Sequence, residues 1–163
     1  MSRIRAVALL VFFVTGAHAS AQGPDADSGT RFGVSIGGIS RLGFVVEFFH
    51  DARSIEVGVG TWSFHDVSVS TVVKQYFGAG AAQPFVGAGL WTVAAAPGDE
   101  RSGFALVLRA PIGVDWGIAD DHALGVALSL NRGIAVRRSD PEDERPINKR
   151  LVPLPEIYYR LTR

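Results

Sequence analysis

From Arg31 onward the chain alternates apolar residues with small or polar ones, and clusters of turn-forming residues interrupt the alternation. Eight such runs can be traced. The first, Arg31–Gly37, puts Phe32, Val34 and Ile36 on one face. The second, Arg41–Phe49, puts Leu42, Phe44, Val46 and Phe48 together, and the third, Ser54–Trp62, sets Ile55, Val57 and Val59 opposite Glu56, Gly58 and Gly60. In the fourth, Val67–Phe77, Val67, Val69, Thr71 and Val73 oppose Ser68, Ser70 and Lys74. The fifth, Pro84–Val93, is rich in glycine and its facing is ambiguous. The sixth, Gly103–Ile118, aligns Phe104, Leu106, Leu108, Ile112, Val114 and Trp116 against a face holding Arg109, Pro111, Gly113 and Asp115. The seventh, His122–Arg132, and the eighth, Val152–Leu161, repeat the pattern, the last with Ile157, Tyr159 and Leu161 opposite Glu156, Tyr158 and Arg160.

No run keeps a helical period, so the pattern predicts an all-β chain of eight antiparallel strands. The clearest runs reach or exceed the 9–11 residues with which a tilted strand crosses a bilayer. The connections His50–Arg53, Gly78–Gln83 and Ala119–Asp121 are tight, whereas Ala94–Ser102 and Ala135–Arg150 are long. Short turns at one end and long loops at the other are the asymmetry of an up-and-down transmembrane β-barrel with its N-terminus in the periplasm. The connection near Gly38–Ser40 is the exception, being short at the end where loops should be long.

The first 21 residues read differently. Arg3 and Arg5 precede nine uninterrupted apolar residues, Ala6–Val14; Gly16 breaks the run and small residues follow at Ala17, Ala19 and Ala21. This is the layout of a cleaved signal peptide, with cleavage before Gln22 or before Ser20. Nine residues at 1.5 Å each fall far short of a hydrocarbon core of about 30 Å, which argues against an anchor. The expected organisation is a signal peptide at 1–21, a flexible lead-in at 22–29 and a barrel at 30–163. No later segment offers some 20 consecutive apolar residues. Removing Arg3 and Arg5 from 16 basic residues leaves 14 against 16 acidic, a net charge of −2, which excludes a strongly basic nucleic-acid binder. With no cysteine there is neither a disulfide framework nor thiolate chemistry, and nothing in the residue pattern calls for a metal or other cofactor.

Alternation alone does not say which face turns inward. A soluble barrel turns its apolar face in around a ligand, and a membrane barrel turns it out. Here the second face is mostly Gly, Ala and Ser, without the Lys, Glu and Thr of a solvated sheet. Its charges nearly balance: Glu47, Glu56, Asp115 and Glu156 against Arg31, Lys74, Arg109 and Arg160. Unpaired charges inside a barrel would each cost several kcal/mol, so equal numbers suit a lumenal ion-pair network. The competing reading is scattered surface charge. Trp62, Phe64, Tyr76, Phe77, Phe85, Trp91, Trp116, Tyr158 and Tyr159 fall near run ends, which fits interfacial girdles or the ordinary strand preference of aromatics.

Two segments, Gln83-Pro84-Phe85-Val86-Gly87-Ala88-Gly89-Leu90 and Glu156-Ile157-Tyr158-Tyr159-Arg160-Leu161, resemble strands of the eight-stranded outer-membrane β-barrel superfamily in the broad OmpA/OmpX sense. The resemblance implies a monomer in the bacterial outer membrane, surrounded by lipid and delivered by the barrel-assembly machinery through its C-terminal strand. Members typically end in an aromatic residue; here the last outward positions are Tyr159 and Leu161. Some barrels of this kind modify lipids with Ser, His and an acid at the rim. Ser63, His65 and Asp66 are the residues to weigh for that role, but Ser63 and His65 share a strand face that Asp66 does not. The expectation is therefore a structural or interaction barrel with a filled lumen and no nucleic-acid partner. A lipid-modifying enzyme and a soluble periplasmic lipocalin-like carrier are the alternatives.

Overall fold

A computed structural model of the chain describes residues 28–78, 80–95, 103–138 and 150–163. The expected signal peptide, most of the lead-in and the connections 96–102 and 139–149 lie outside the described residues. Eight strands follow one another: β1 (Ser28–Gly37), β2 (Ser40–His50), β3 (Arg53–Thr61), β4 (Asp66–Tyr76), β5 (Ala82–Ala95), β6 (Gly103–Ala119), β7 (His122–Arg137) and β8 (Val152–Thr162). Each pairs antiparallel with the next, and β8 returns to β1, so the sheet closes on itself as an all-β barrel. Closure pairs each of the described strands on both sides over most of its length, which removes the open edge of a flat sheet.

The register fixes the shape. Partners traced from Val107 run through Trp91, Ser70, Gly58, Val45, Gly33, Arg160 and Ala123 to Gly117, ten residues further along β6. With eight strands about 4.8 Å apart and a rise of about 3.3 Å per residue, that displacement tilts the strands by roughly 40° from the barrel axis. An eleven-residue strand such as β2 or β4 then spans roughly 25–28 Å along the axis. The longest strands, β6 and β7, have 17 and 16 residues, and β7 runs six residues beyond its last pair with β8, Asn131 with Val152. The strand β7 runs five residues past Arg132, where alternation predicted its end. The cause is a bulge: Leu106 pairs with Ala135 while Val107 pairs with Gly133, so Ile134 is the extra residue and the period of two slips.

The two faces are sorted opposite to those of a soluble protein. Phe44 is 71% exposed and Ile112 50% exposed, and Leu108, Leu128 and Ile157 also point outward, while Glu47, Lys74, Arg109 and Arg160 are buried. The ambiguous fifth run resolves with Phe85 inside and Val86 and Leu90 outside. Tyr76, Phe85 and Tyr158 turn inward, correcting the girdle reading for those three; Phe64, Phe77 and Trp116 are exposed.

Two local features make the narrow interior possible. Gly125 on β7 lies opposite Tyr158 on β8 and leaves room for its ring; a Cβ there would overlap the ring atoms. The short β1–β2 turn explains the exceptional first connection, because its tip folds against the lumen contents. Gly37 and Gly38 adopt positive φ of 86° and 66°, and the Gly38 N–H donates to the Pro155 carbonyl at 2.8 Å. A Cβ on Gly38 would stand 2.8 Å from the Glu156 carboxylate, and the buried Ile39 packs beside Gly58 of β3. This early turn leaves Val152–Leu154 of β8 without a β1 partner. The Pro155 carbonyl faces β1, so the nitrogens of Pro155 and, by alternation, Pro153 face that unpaired side, where no N–H is wanted.

Gly125→Val is expected to lower stability by about 1–3 kcal/mol through overpacking against Tyr158, read as a lower urea midpoint of the detergent-refolded barrel. The outward change Ala88→Val should leave that midpoint nearly unchanged.

Candidate functional site: a charge-paired lumen

Strand alternation sends every second side chain of all eight strands into one narrow space, so residues far apart in the chain meet there. Four acidic and four basic side chains fill it: Glu47, Glu56, Asp115 and Glu156 with Arg31, Lys74, Arg109 and Arg160. The centre is Arg160 of β8, 1% exposed. Its guanidinium meets Asp115 Oδ2 at 2.8 Å and Glu47 Oε2 at 3.0 Å, and its other terminal nitrogen pairs with Glu56. Lys74 also pairs with Glu56 and lies 3.9 Å from Glu47. Arg31 sits at the margin, 3.9 Å from Glu47 and 3.8 Å from Asp115.

A second group lies beneath the β1–β2 turn. Arg109 pairs with Glu156 and donates from Nε to Ser129 Oγ at 3.0 Å and from Nη1 to Ser70 Oγ at 3.2 Å. All eight charges predicted for the lumen therefore have an opposite charge nearby, in a group around Arg160 and a group around Arg109.

Three side chains complete the site without having been singled out by charge. The Tyr76 hydroxyl donates to Glu47 Oε1 at 2.7 Å and stands 3.1 Å from the Arg160 Nη1 donor. The Tyr158 hydroxyl donates to Asp115, and the Tyr158 ring lies under the Arg160 guanidinium at 3.9 Å. The Ser54 hydroxyl donates to Glu47 at 2.5 Å. Lys74 is stacked over the Phe85 ring at 4.6 Å, and Arg31 over Phe49 at 4.7 Å. Buried cations are thus held by carboxylates on one side and aromatic faces on the other. The signal available in sequence was alternation, which put Tyr158 on the same face as Glu156 and Arg160; its hydroxyl gave no further clue.

The arrangement is a filled interior. Large side chains cross the lower lumen, and small ones such as Ser35, Ser40, Ser68 and Gly60 line the upper part. Among the described residues Leu108 and Ile112 face out while Arg109 and Asp115 face in, the reverse of the apolar interior a lipocalin-like carrier needs. The rim residues weighed for catalysis form a turn instead. The backbone N–H and hydroxyl of Ser63 each donate to Asp66 Oδ1 at 2.8 Å, the Trp62 N–H donates to the same carboxylate at 3.1 Å, and Phe64 takes φ of 63°. Among the described residues His65 makes no hydrogen bond to Ser63 or Asp66, so Asp66 caps a loop and no triad is assembled.

Comparison with known proteins agrees with the barrel. No protein-family model matches the chain, and no curated protein matches it. Among solved structures, the N-terminal β-barrel domain of Pseudomonas aeruginosa OprF superposes with a TM-score of 0.59 at 12% identity, covering 83% of this chain and 96% of that domain. The fold is that of an eight-stranded, OmpA-type barrel. At that identity the likeness is one of architecture, and the lumenal residues of this barrel stand on their own geometry.

Replacing Arg160 by Met would leave Glu47, Glu56 and Asp115 sharing a buried site with too few cations. The expected cost is about 3–5 kcal/mol, measured from denaturant unfolding in micelles. Adding Glu56→Gln should recover part of the loss, because it removes one of the orphaned charges.

Proposed function

We propose that the protein is a small bacterial outer-membrane barrel of structural or interaction type, closed to solute flow by its own lumenal side chains. The observation that carries the reading is the inversion of faces: a closed barrel with exposed Leu, Ile, Val and Phe outside and an ion-pair network inside. Water favours the reverse arrangement by about 25 cal/mol per Å² of apolar surface, so an outer face of this kind is stable against lipid. The axial span of the shorter strands, roughly 25–28 Å, matches the apolar band of such barrels. The OprF barrel domain's likeness supports the same location.

In this reading both chain ends lie in the periplasm and the connections after β5 and β7 face outward. The signal segment directs export. The assembly machinery meets β8, whose outward side chains at its end are Tyr159 and Leu161. The lipid surround is the main partner, and the barrel is a monomer. In this reading Arg160, Tyr158, Lys74 and Tyr76 cross the lumen and block it as a channel for solutes.

Cell fractionation should place the protein in the outer membrane, and unheated samples should migrate differently from boiled ones on a gel. Reconstituted in planar bilayers, it should show no large stable conductance. Recovery in the soluble periplasmic fraction, or stable porin-like openings, would contradict the reading.

A further inference from the structure

The outward face of β7 carries a feature that the lumen does not explain. His122 marks its lower end; Leu124, Val126, Leu128 and Leu130 follow outward in turn, all exposed, and then Arg132 breaks the apolar series. Ten residues separate His122 from Arg132, so on a strand tilted by roughly 40° the arginine stands about 25 Å above the lower boundary. That is where the apolar band of a membrane barrel ends and lipid phosphates begin. Arg132 pairs across β6 with outward Leu108, and Arg137, further up, pairs with outward Phe104. Between them the bulge leaves Ile134 50% exposed. Arg132 lies one step beyond the last β7–β8 pair, Asn131 with Val152. The side chain of neither Arg132 nor Arg137 has an ion pair or hydrogen bond among the described residues.

We propose that this raised face of β6 and β7 binds a phosphate-bearing lipid of the outer leaflet, with acyl chains along Leu108, Leu128 and Leu130 and headgroup phosphates on Arg132 and Arg137. An unpaired guanidinium set among exposed apolar side chains is poorly matched to water alone and poorly matched to hydrocarbon alone. A phosphorylated amphiphile satisfies both parts, because the planar donor fork of arginine suits phosphate oxygens and the leucines suit acyl chains. Two guanidinium groups spaced up the strand favour a headgroup with more than one phosphate.

The inference rests on the outer-membrane reading and is tested separately from it. The protein, purified in mild detergent, is incubated with diphosphoryl lipid A, monophosphoryl lipid A, phosphatidylcholine or inorganic pyrophosphate, and retained ligand is counted by native mass spectrometry. Diphosphoryl lipid A should be retained best, phosphatidylcholine least. The double variant Arg132→Gln/Arg137→Gln should retain diphosphoryl lipid A about tenfold less, and Arg132→Lys, which keeps the charge and loses the planar fork, should retain an amount between that of Arg132→Gln and that of the wild type. Equal retention by the double variant, equal retention of phosphatidylcholine, pyrophosphate bound as firmly as the lipid, or a dimer covering this face would each overturn the proposal. Heat-modifiable mobility of the same samples reports the barrel independently, so its loss in wild type would sink the outer-membrane reading instead. Should only the double variant lose that mobility, the single Arg132→Gln and Arg137→Gln variants are read, and undiminished lipid retention in both overturns the proposal.

Discussion

Everything inside this barrel depends on burying seven charges, with Arg31 at their margin, in a space too narrow for bulk water. Each ion taken from water costs several kcal/mol, recovered only when opposite charges and hydrogen-bond donors stand close. Arg160 meets three carboxylates, Lys74 meets two, and Arg109 is tied to Glu156 and two serine hydroxyls. The tyrosines Tyr76 and Tyr158 spend their hydroxyls on the same acids. No single hydrophobic cluster could hold such a molecule together. Most of its large apolar side chains point outward and a small cluster of Tyr76, Phe85, Ala127 and Tyr158 packs inside, so specificity comes from the polar interior and the continuous backbone ladder.

That interior dictates the wall. A displacement of ten residues around eight strands sets a lumen that side chains can just fill. Where a large ring must lie flat, the opposite strand supplies glycine, as Gly125 does for Tyr158. Where a turn must press on the ion pairs, glycine takes the positive φ, as at Gly38 over Glu156. The early stop of β1 would expose hydrogen-bonding groups on β8, and prolines at positions 153 and 155 remove two of the donors. The outer face is apolar, with Leu124, Val126, Leu128 and Leu130 exposed in series along β7. His122, bonded to Tyr159, and Arg132 flank that series at its two ends.

Much of the architecture could be read from local pattern. Alternation is a property of neighbours two apart, so the eight strands, the outward leucines of β6 and the presence of Arg109, Asp115, Glu156 and Arg160 on the opposite face were all accessible without coordinates. The balance of four acids against four bases was accessible as well, because it is a count. Where local pattern failed, the cause was also local. The glycines of β5 carry no side chain to report a face, the bulge at Ile134 shifted the period so that β7 looked shorter than it is, and aromatics at strand ends suited two environments equally.

Which charges meet was decided only by the closed barrel. Glu56 and Arg160 are 104 residues apart in the chain, and Arg109 and Glu156 are 47 apart. Their contacts depend on the register of strands that are not neighbours in sequence, and no period along one strand encodes that. The same holds for Tyr76 and Tyr158, whose hydroxyls found buried acids, and for the β1–β2 turn, whose length was visible but whose fold over Glu156 was not. By itself the sequence determined the strands and sorted their faces, since both follow from side-chain direction along an extended chain. The tertiary structure decided the partners, since those follow from closure, tilt and register around the whole ring.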